Sequence, residues 1–481
     1  MSSAPVIVWF RNDLRIQDNP ALNAALQRGA PIIPVYILDE AGEGKWKIGG
    51  ATRSWLHHSL KSLIHTFKDK ESELVLCEGD SLQVLQQLIK KTGVSTVFWN
   101  RRYEPDIIKR DSDIKTALNH SGIEAKSFNA ALLHEPHTVS NKSGLPFQVF
   151  TPFWKHCLTL QKEDPAVCKL TRFPKPDAFP KSLKLEDLNL LPALGWDKGF
   201  YESWHPGEAG AHKRLAGFLK TAAEDYSDQR NIPSRAGTSG LSPHLHFGEI
   251  SPRQIWKACV DLKAGDFTQL SRGAQVFLSE VGWREFAFHL LFHFPKIPNE
   301  ALRSEFNQFP WKKDAKALKA WQKGKTGYPI IDAGMRELWV TGWMHNRVRM
   351  IAGSFLVKDL LITWEEGAAW FWDTLIDADL ASNTMGWQWV SGCGADAAPY
   401  FRIFNPILQG LKFDPDGYYV RKWVPELSKL PNEFIHAPWE APQEVLEKAG
   451  IVLGKHYPKP MVDHSKARDL ALEALQSIKK K

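Results

Sequence analysis

The runs VIVWF at 6–10 and PIIPVYIL at 31–38 decide how the first part of the chain folds. Both are short, apolar and rich in β-branched residues, as are LVLCEG at 74–79 and STVFWN at 95–100. Runs of that kind read as strands. Helical stretches lie between them, for example Thr52 to Lys68 and Ser81 to Lys91. Strands alternating with helices imply a parallel sheet covered by helices, with ligands at the strand C-termini. Neither GxGxxG nor GxxxxGK(S/T) occurs, which excludes the usual dinucleotide and P-loop fingerprints.

Working outward, residues from about His134 to Trp204 are rich in Pro, Lys and Leu and lack periodicity, so they read as a long connector. From about Pro206 the pattern turns helical. FLSEVGWREFAFHLLFHF (277–294), GYPIIDAGMRELWVTGW (327–343) and TWEEGAAWFWDTLI (363–376) all place apolar residues at helical spacing. The expected fold class is α/β plus all-α: a Rossmann-like parallel-sheet domain over 1–133, a connector over 134–204 and a helical domain over 205–481.

A chain of 481 residues exceeds one compact core, and 43% hydrophobic with 24% charged residues is the make-up of a folded protein. No apolar run approaches a membrane span, and the N-terminus carries no secretory pattern. A cytoplasmic protein with no membrane partner is therefore expected. The cysteines (Cys77, Cys157, Cys168, Cys259, Cys393) are scattered and odd in number, with no CxxC. They read as buried reduced thiols rather than a disulfide framework or zinc site. The net charge of +7 admits a polyanionic partner wherever the basic residues gather locally. Twenty Trp residues, most of them after residue 195, suggest stacking on flat ligands, electron transfer, or both, beside an aromatic-rich core.

Four stretches concentrate chemistry. In GTSGLSPHLHFGEISPRQ (237–254), Thr238, Ser239 and Ser242 can offer hydroxyls and backbone N–H groups to a phosphate, or simply cap a helix. Glu280, Trp283 and Arg284 fall at i, i+3 and i+4 and share one face, either a recognition surface or an ion pair beside a half-buried Trp. In TGWMHNRVRM (341–350), Asn346 shares a face with Arg349 and Met350, and Arg347 is turned about 100° away. An amide suits the edge of a base or flavin, a guanidinium a phosphate. In DADLASNTMGWQWVSGCGADAAPYFRIFNP (377–406), Asp377 and Asp379 precede Asn383, and Trp387 and Trp389 lie about 200° apart on a helix. A carboxylate pair keeps a hydrolase in view, though no nucleophile–base pairing and no metal-ligand signature accompanies it, so no metal is expected.

Taken together with WFRNDLRIQDNPAL near the start, FLSEVGWREF and WQKGKTGYPIIDAGMRELWVTGWMHNRVRM, these motifs run nearly end to end and resemble the photolyase/cryptochrome family. The WMHNR stretch with Glu280 and Trp283 is similar to the branch that repairs cyclobutane pyrimidine dimers. The resemblance implies one non-covalent FAD per chain, held in the helical domain by Tyr226, Thr238, Ser239, Leu241, Ser242, Arg284, Arg349, Asp377 and Asp379, with Asn383 facing flavin N5. It implies electron transfer through Trp387, Trp364 and Trp311, and a dimer pocket lined by Glu280, Trp283, Asn346, Met350 and Trp389. Glu280 and Asn346, with Asn383, carry the catalytic roles. Arg230, Arg347 and Arg402 match residues near the backbone of the partner, ultraviolet-damaged DNA, and the chain is expected to act as a monomer. The sheet domain implies an antenna chromophore, methenyltetrahydrofolate or 8-hydroxy-5-deazaflavin. Asp106 and Ile107 stand where folate-binding relatives often carry Asn and Glu, and that leaves the dye open. The competing readings are a cryptochrome-type light receptor, a (6-4) photolyase and a flavoprotein that stacks on single strands.

Overall fold

A computed structural model describes residues 4–397 and 401–479, so Ala398 to Tyr400 of the last motif lie outside the described residues. By internal contacts the chain divides into two compact units, each assembled from three segments. The first is Met1–Glu224 with Ser239–Pro295 and Ile376–Leu380; the second is Asp225–Thr238 with Lys296–Leu375 and Ala381–Lys481.

The first unit is built on five parallel strands, β1 (Val6–Phe10), β2 (Ile32–Leu38), β3 (Val75–Glu78), β4 (Thr96–Asn100) and β5 (Glu124–Phe128), in the order β3-β2-β1-β4-β5. Every residue of β1, β2 and β4 is buried, as a parallel sheet covered on both faces requires. Val6 lies opposite Ile32 on one side and Thr96 on the other. The helices between the strands are α1 (Pro20–Gln27), α2 (Gly50–Asp69), α3 (Ser81–Thr92) and α4 (Pro105–His120). Their ends are written locally. Asn19 caps α1 by accepting from Leu22 N, with Pro20 at the first position. Asp80 caps α3 by accepting from Gln83 N, and Gly93 closes it at φ +67°.

The four strands expected from sequence form within a residue of their expected ends, and the sheet class is the expected one. The strand EAKSF and the helix α5 (Phe150–Thr159), inside the stretch expected to be an irregular connector, are additions. Phe150, Phe153, Trp154 and Cys157 recur at helical spacing and are all buried, which is why that segment coils.

Strand order reverses at β1, and the β1–β4 side of that switch point is filled by the chain itself. Arg11 donates to Asp111 and to the Asn100 carbonyl. Asn100 Nδ2 donates to Asp13 Oδ2 at 2.5 Å and to Asn19 Oδ1 at 2.8 Å. The open space lies on the other side, at the C-terminal ends of β1 and β2. It is a crevice of about 470 Å³ including its mouth, with Trp9, Tyr36, Glu43, Arg102, Arg110 and Phe247 among its walls.

The second unit is helical. Its helices include Pro329–Thr341, Asn346–Ser354, Trp364–Thr374, Pro406–Phe413 and Tyr418–Trp423, with His464–Lys479 last. That final helix is tied back where His464 Nδ1 meets Asp359 Oδ1 at 2.5 Å. Among the described residues no helix is long and apolar enough to cross a membrane.

Candidate functional site

In the first unit the turn before the helix Ser242–His246 depends on Gly240, at φ +60°. A Cβ there would stand 2.6 Å from the Arg214 guanidinium. Ser239 Oγ accepts from Leu241 N at 3.4 Å, and Ser242 Oγ donates to Asp377 Oδ2 at 2.5 Å. The structure thus joins two expected residues, Ser242 and Asp377, that stand 135 positions apart. Asp377 is buried, and a buried carboxylate so anchored offers its acceptor atoms in a fixed direction.

The helix Arg272–His293 carries Glu280, Trp283 and Arg284, all half-buried on one face as their spacing predicts. Ser271 caps it, accepting from Ala274 N at 3.2 Å. Trp283 stacks flat on Phe150, ring centroids 3.7 Å apart and planes at 10°. At the neighbouring Gly282 a Cβ would lie 2.5 Å from the Trp154 ring, so glycine lets α5 pack closely on this helix. Arg284 Nη1 donates to the Ala131 carbonyl at 2.7 Å, and the guanidinium lies over the Phe288 ring. The next residue, Glu285, is buried and accepts from the backbone N–H groups of Leu133 at 2.9 Å and His134 at 3.3 Å. Burial pushes its carboxyl up to about 7. Sequence reasoning missed Glu285; a charged residue next to Arg284 reads as surface until its burial is known.

In the second unit Tyr226 is buried and Arg230 lies over its ring at 5.4 Å. Asn346 is exposed at the first position of its helix, which the side chain of His345 caps by accepting from Arg347 N at 3.2 Å. Arg347 donates to Asn231 Oδ1 at 2.7 Å and stands over Phe413 at 4.4 Å. Arg349 Nε donates to the Met344 carbonyl at 2.7 Å, and Met350 is half-buried. On the helix Leu380–Ser391, Trp387 is buried and Trp389 is half-buried, as two positions two residues apart should be. Arg402 reaches over Trp389 at 5.5 Å.

Asn383 Nδ2 donates to the Ala368 carbonyl at 3.0 Å. With its amino group so held, its Oδ1 is the atom left to accept a hydrogen bond. Trp387 packs on Phe371 at 5.0 Å and on Trp321 at 6.1 Å, and Gly367 makes the space, since a Cβ there would lie 2.1 Å from the Trp387 ring. Trp364 is buried, whereas Trp311 is half-buried beside Phe309 at 4.3 Å. Trp321, a fully buried indole against Trp387, was not singled out from sequence. Thr238 is half-buried in the same segment as Tyr226, and Leu241 and Asp379 belong with the first unit.

Each unit, taken by itself, presents groups suited to a flat, polar, phosphate-bearing ligand. They offer hydroxyl and carboxylate donors and acceptors at Ser242 and Asp377, an amide acceptor at Asn383 and guanidinium groups at Arg284 and Arg349. Aromatic planes at Trp283 and Phe150 suit the stacking of a base.

Comparison with known proteins identifies the family. A family model described as the FAD binding domain of DNA photolyase matches residues 277–477, and one described as DNA photolyase matches 6–176. A protein of Agrobacterium fabrum named deoxyribodipyrimidine photo-lyase is 49% identical over 100% of this chain and 99% of its own. Cryptochrome-2 of Arabidopsis thaliana is 40% identical over 98% of this chain and 78% of its own. The crystal structure of a bacterial class III photolyase from Agrobacterium tumefaciens superposes with a TM-score of 0.96, at 49% identity, covering 100% of this chain and 99% of that one.

Proposed function

The chain belongs to the photolyase/cryptochrome family, and from that premise we propose that it binds FAD and uses light to split cyclobutane pyrimidine dimers in DNA, as a deoxyribodipyrimidine photo-lyase. The observation that carries this is the likeness, along the whole chain, to a protein of that name at 49% identity. Bound FAD in its reduced form would supply the light-driven one-electron chemistry that opening the cyclobutane ring needs.

This chain's residues supply the rest. Asn383, one amide N–H donating to the Ala368 carbonyl, would offer Oδ1 as an acceptor to the flavin ring. Tyr226, Thr238, Ser239, Leu241, Ser242, Arg284, Arg349, Asp377 and Asp379 hold the cofactor. Trp283, braced by Phe150, Met350 and Trp389 replace the stacking that the flipped dimer loses, which costs less for a damaged pair than for intact bases. Glu280 and Asn346 hydrogen-bond the dimer as charge builds on it. Ring opening needs no general base, so the Asp pair serves the cofactor. Trp387, Trp364 and Trp311 carry electrons inward, and Arg230, Arg347 and Arg402 meet the DNA backbone.

The crevice at the ends of β1 and β2 is the place for an antenna dye, methenyltetrahydrofolate or 8-hydroxy-5-deazaflavin. Arg102, held by Glu43 at 2.5 Å and Glu104 at 2.8 Å, fixes one wall. A monomeric, cytoplasmic enzyme completes the reading. Against a (6-4) lesion, His345 is followed by Asn346 rather than a second histidine, and its Nδ1 is engaged in capping its helix.

The test is an absorbance scan of the purified protein, followed by blue light on a dimer-containing oligo(dT). Flavin bands with recovery of thymine absorbance support repair, and a further near-ultraviolet band identifies the antenna. The 40% identity to a cryptochrome supports the second reading, a light receptor. Flavin bands that respond to light without thymine recovery would establish it instead.

A further inference from the structure

We infer that the lysine-rich face of residues 311–325 is a docking surface for an acidic one-electron-donor protein that delivers its electron to Trp311. The inference rests on the electron-transfer role proposed for Trp311, Trp364 and Trp387. WKKDAKALKAWQKGK (311–325) holds six lysines and one aspartate, against a net charge of +7 for all 481 residues. Lys312, Lys313, Lys316, Lys319, Lys323 and Lys325 are all exposed. Asp314, the one acid, is engaged as the cap of the helix Ala315–Gln322, accepting from Ala317 N at 2.9 Å.

Lys316, Lys319 and Lys323 recur at i, i+3 and i+7 and so share a face, and like charges at that spacing oppose the helix they sit on. Lys319, in the last turn, suits the helix dipole, but Lys312, Lys313 and Lys316 stand at or before the N-terminal end, where a cation is disfavoured, so helix stability does not explain the set. The inner side of the same helix is apolar: Ala317 is buried, and Trp321 donates from Nε1 to the Ala352 carbonyl at 3.0 Å while packing against Trp387. One residue ahead of the lysines stands half-buried Trp311, its segment pinned where Lys312 N donates to the Leu361 carbonyl at 2.7 Å. Concentrated positive charge thus borders an indole that solvent can reach.

A small neutral reductant has no use for that charge, whereas an acidic protein is steered by it. Redox partners meet through small, transient interfaces, which mobile lysine point charges suit. The arginines proposed for DNA are of another kind, fixed on Asn231, Phe413 and Trp389. The step moves one electron and breaks no bond. The donor is oxidised by one electron, and the Trp311 indole, having passed its own electron inward, returns to its neutral reduced form.

The experiment compares FAD-loaded wild type, the variant K312E/K316E/K319E/K323E and W311F, with an acidic two-iron ferredoxin as probe and dithiothreitol as the uncharged donor. Oxidised ferredoxin binding is measured in the dark by calorimetry, and decay of the oxidised-indole absorbance after a laser flash is followed with reduced ferredoxin or dithiothreitol as the donor. Ferredoxin should bind wild type at low salt and about tenfold or more weakly in the lysine variant or in high salt. It should also speed the decay in wild type alone, with dithiothreitol acting equally on both. A long-lived indole signal that survives W311F overturns the indole reading whatever the binding data say. Ferredoxin binding that is absent, or equal in wild type and lysine variant, overturns the docking surface. So does a lysine variant that loses duplex DNA affinity but keeps ferredoxin binding, which assigns the face to nucleic acid.

Discussion

Glu337 sits on the inner side of its helix, where its carboxylate accepts from the Tyr419 hydroxyl at 2.6 Å and from His345 N at 3.1 Å. It thereby steadies the turn leading to Asn346. Burial pushes its carboxyl up to about 7, against the pull of Tyr419, His345, Lys422 and Arg349. The folded chain thus holds a proton over a range where the unfolded chain has released it. That group's contribution to stability is fullest below its ordinary value of 4.5 and declines as pH rises toward 7. E337Q lacks the titration, so the wild-type urea midpoint should fall relative to the variant between about pH 4.5 and 7 and run parallel above it. A gap independent of pH would refute this. Trp283 invites a second substitution. Stacking is worth roughly 1–3 kcal/mol per base, so W283A should weaken binding to a dimer-containing oligonucleotide about 10- to 100-fold, and binding to intact duplex far less.

At the scale of the element, the helix Arg272–His293 shows how a small residue places a large one. A methyl group on Gly282 must displace the Trp154 ring, and overpacking of this kind costs roughly 1–3 kcal/mol. G282A should therefore lower Tm and weaken lesion binding together, because Trp283 is the next residue. G217A is the control: its helix, Glu208–Thr221, has nothing within 4 Å of the new methyl group. It should gain about 0.5–1 kcal/mol by thermal melting. Elements with strong periodicity were legible in sequence, as Ser81 to Lys91 and TWEEGAAWFWDTLI show. EAKSF was not, since its two apolar residues make a strand only once β4 supplies the partner edge. The helix α5 had readable spacing, but it is embedded among Pro and Lys that mask it.

At the scale of the whole molecule, the net charge of +7 is modest, and DNA binding must come from local arginines. If Arg402 meets a phosphate, R402A should weaken damaged and intact DNA alike and lower the slope of log K against log salt by about one. A loss confined to damaged DNA would place Arg402 in the pocket instead. The candidate cofactor residues are drawn from segments far apart in the chain, which no local pattern reveals.

By itself the sequence determined the parallel-sheet and helical architecture, because periodicity, caps and turn glycines act over a few residues. It also displayed the family's motifs, because chemistry-bearing side chains are written out one by one. Only the tertiary structure decided that Ser242 meets Asp377, that Asn383 donates to the Ala368 carbonyl, that Trp283 is braced by Phe150 and that Trp321 lies against Trp387. Each of these joins residues from different elements. Their meeting depends on how helices and strands pack, and packing is set by the summed burial of many side chains rather than by any one stretch.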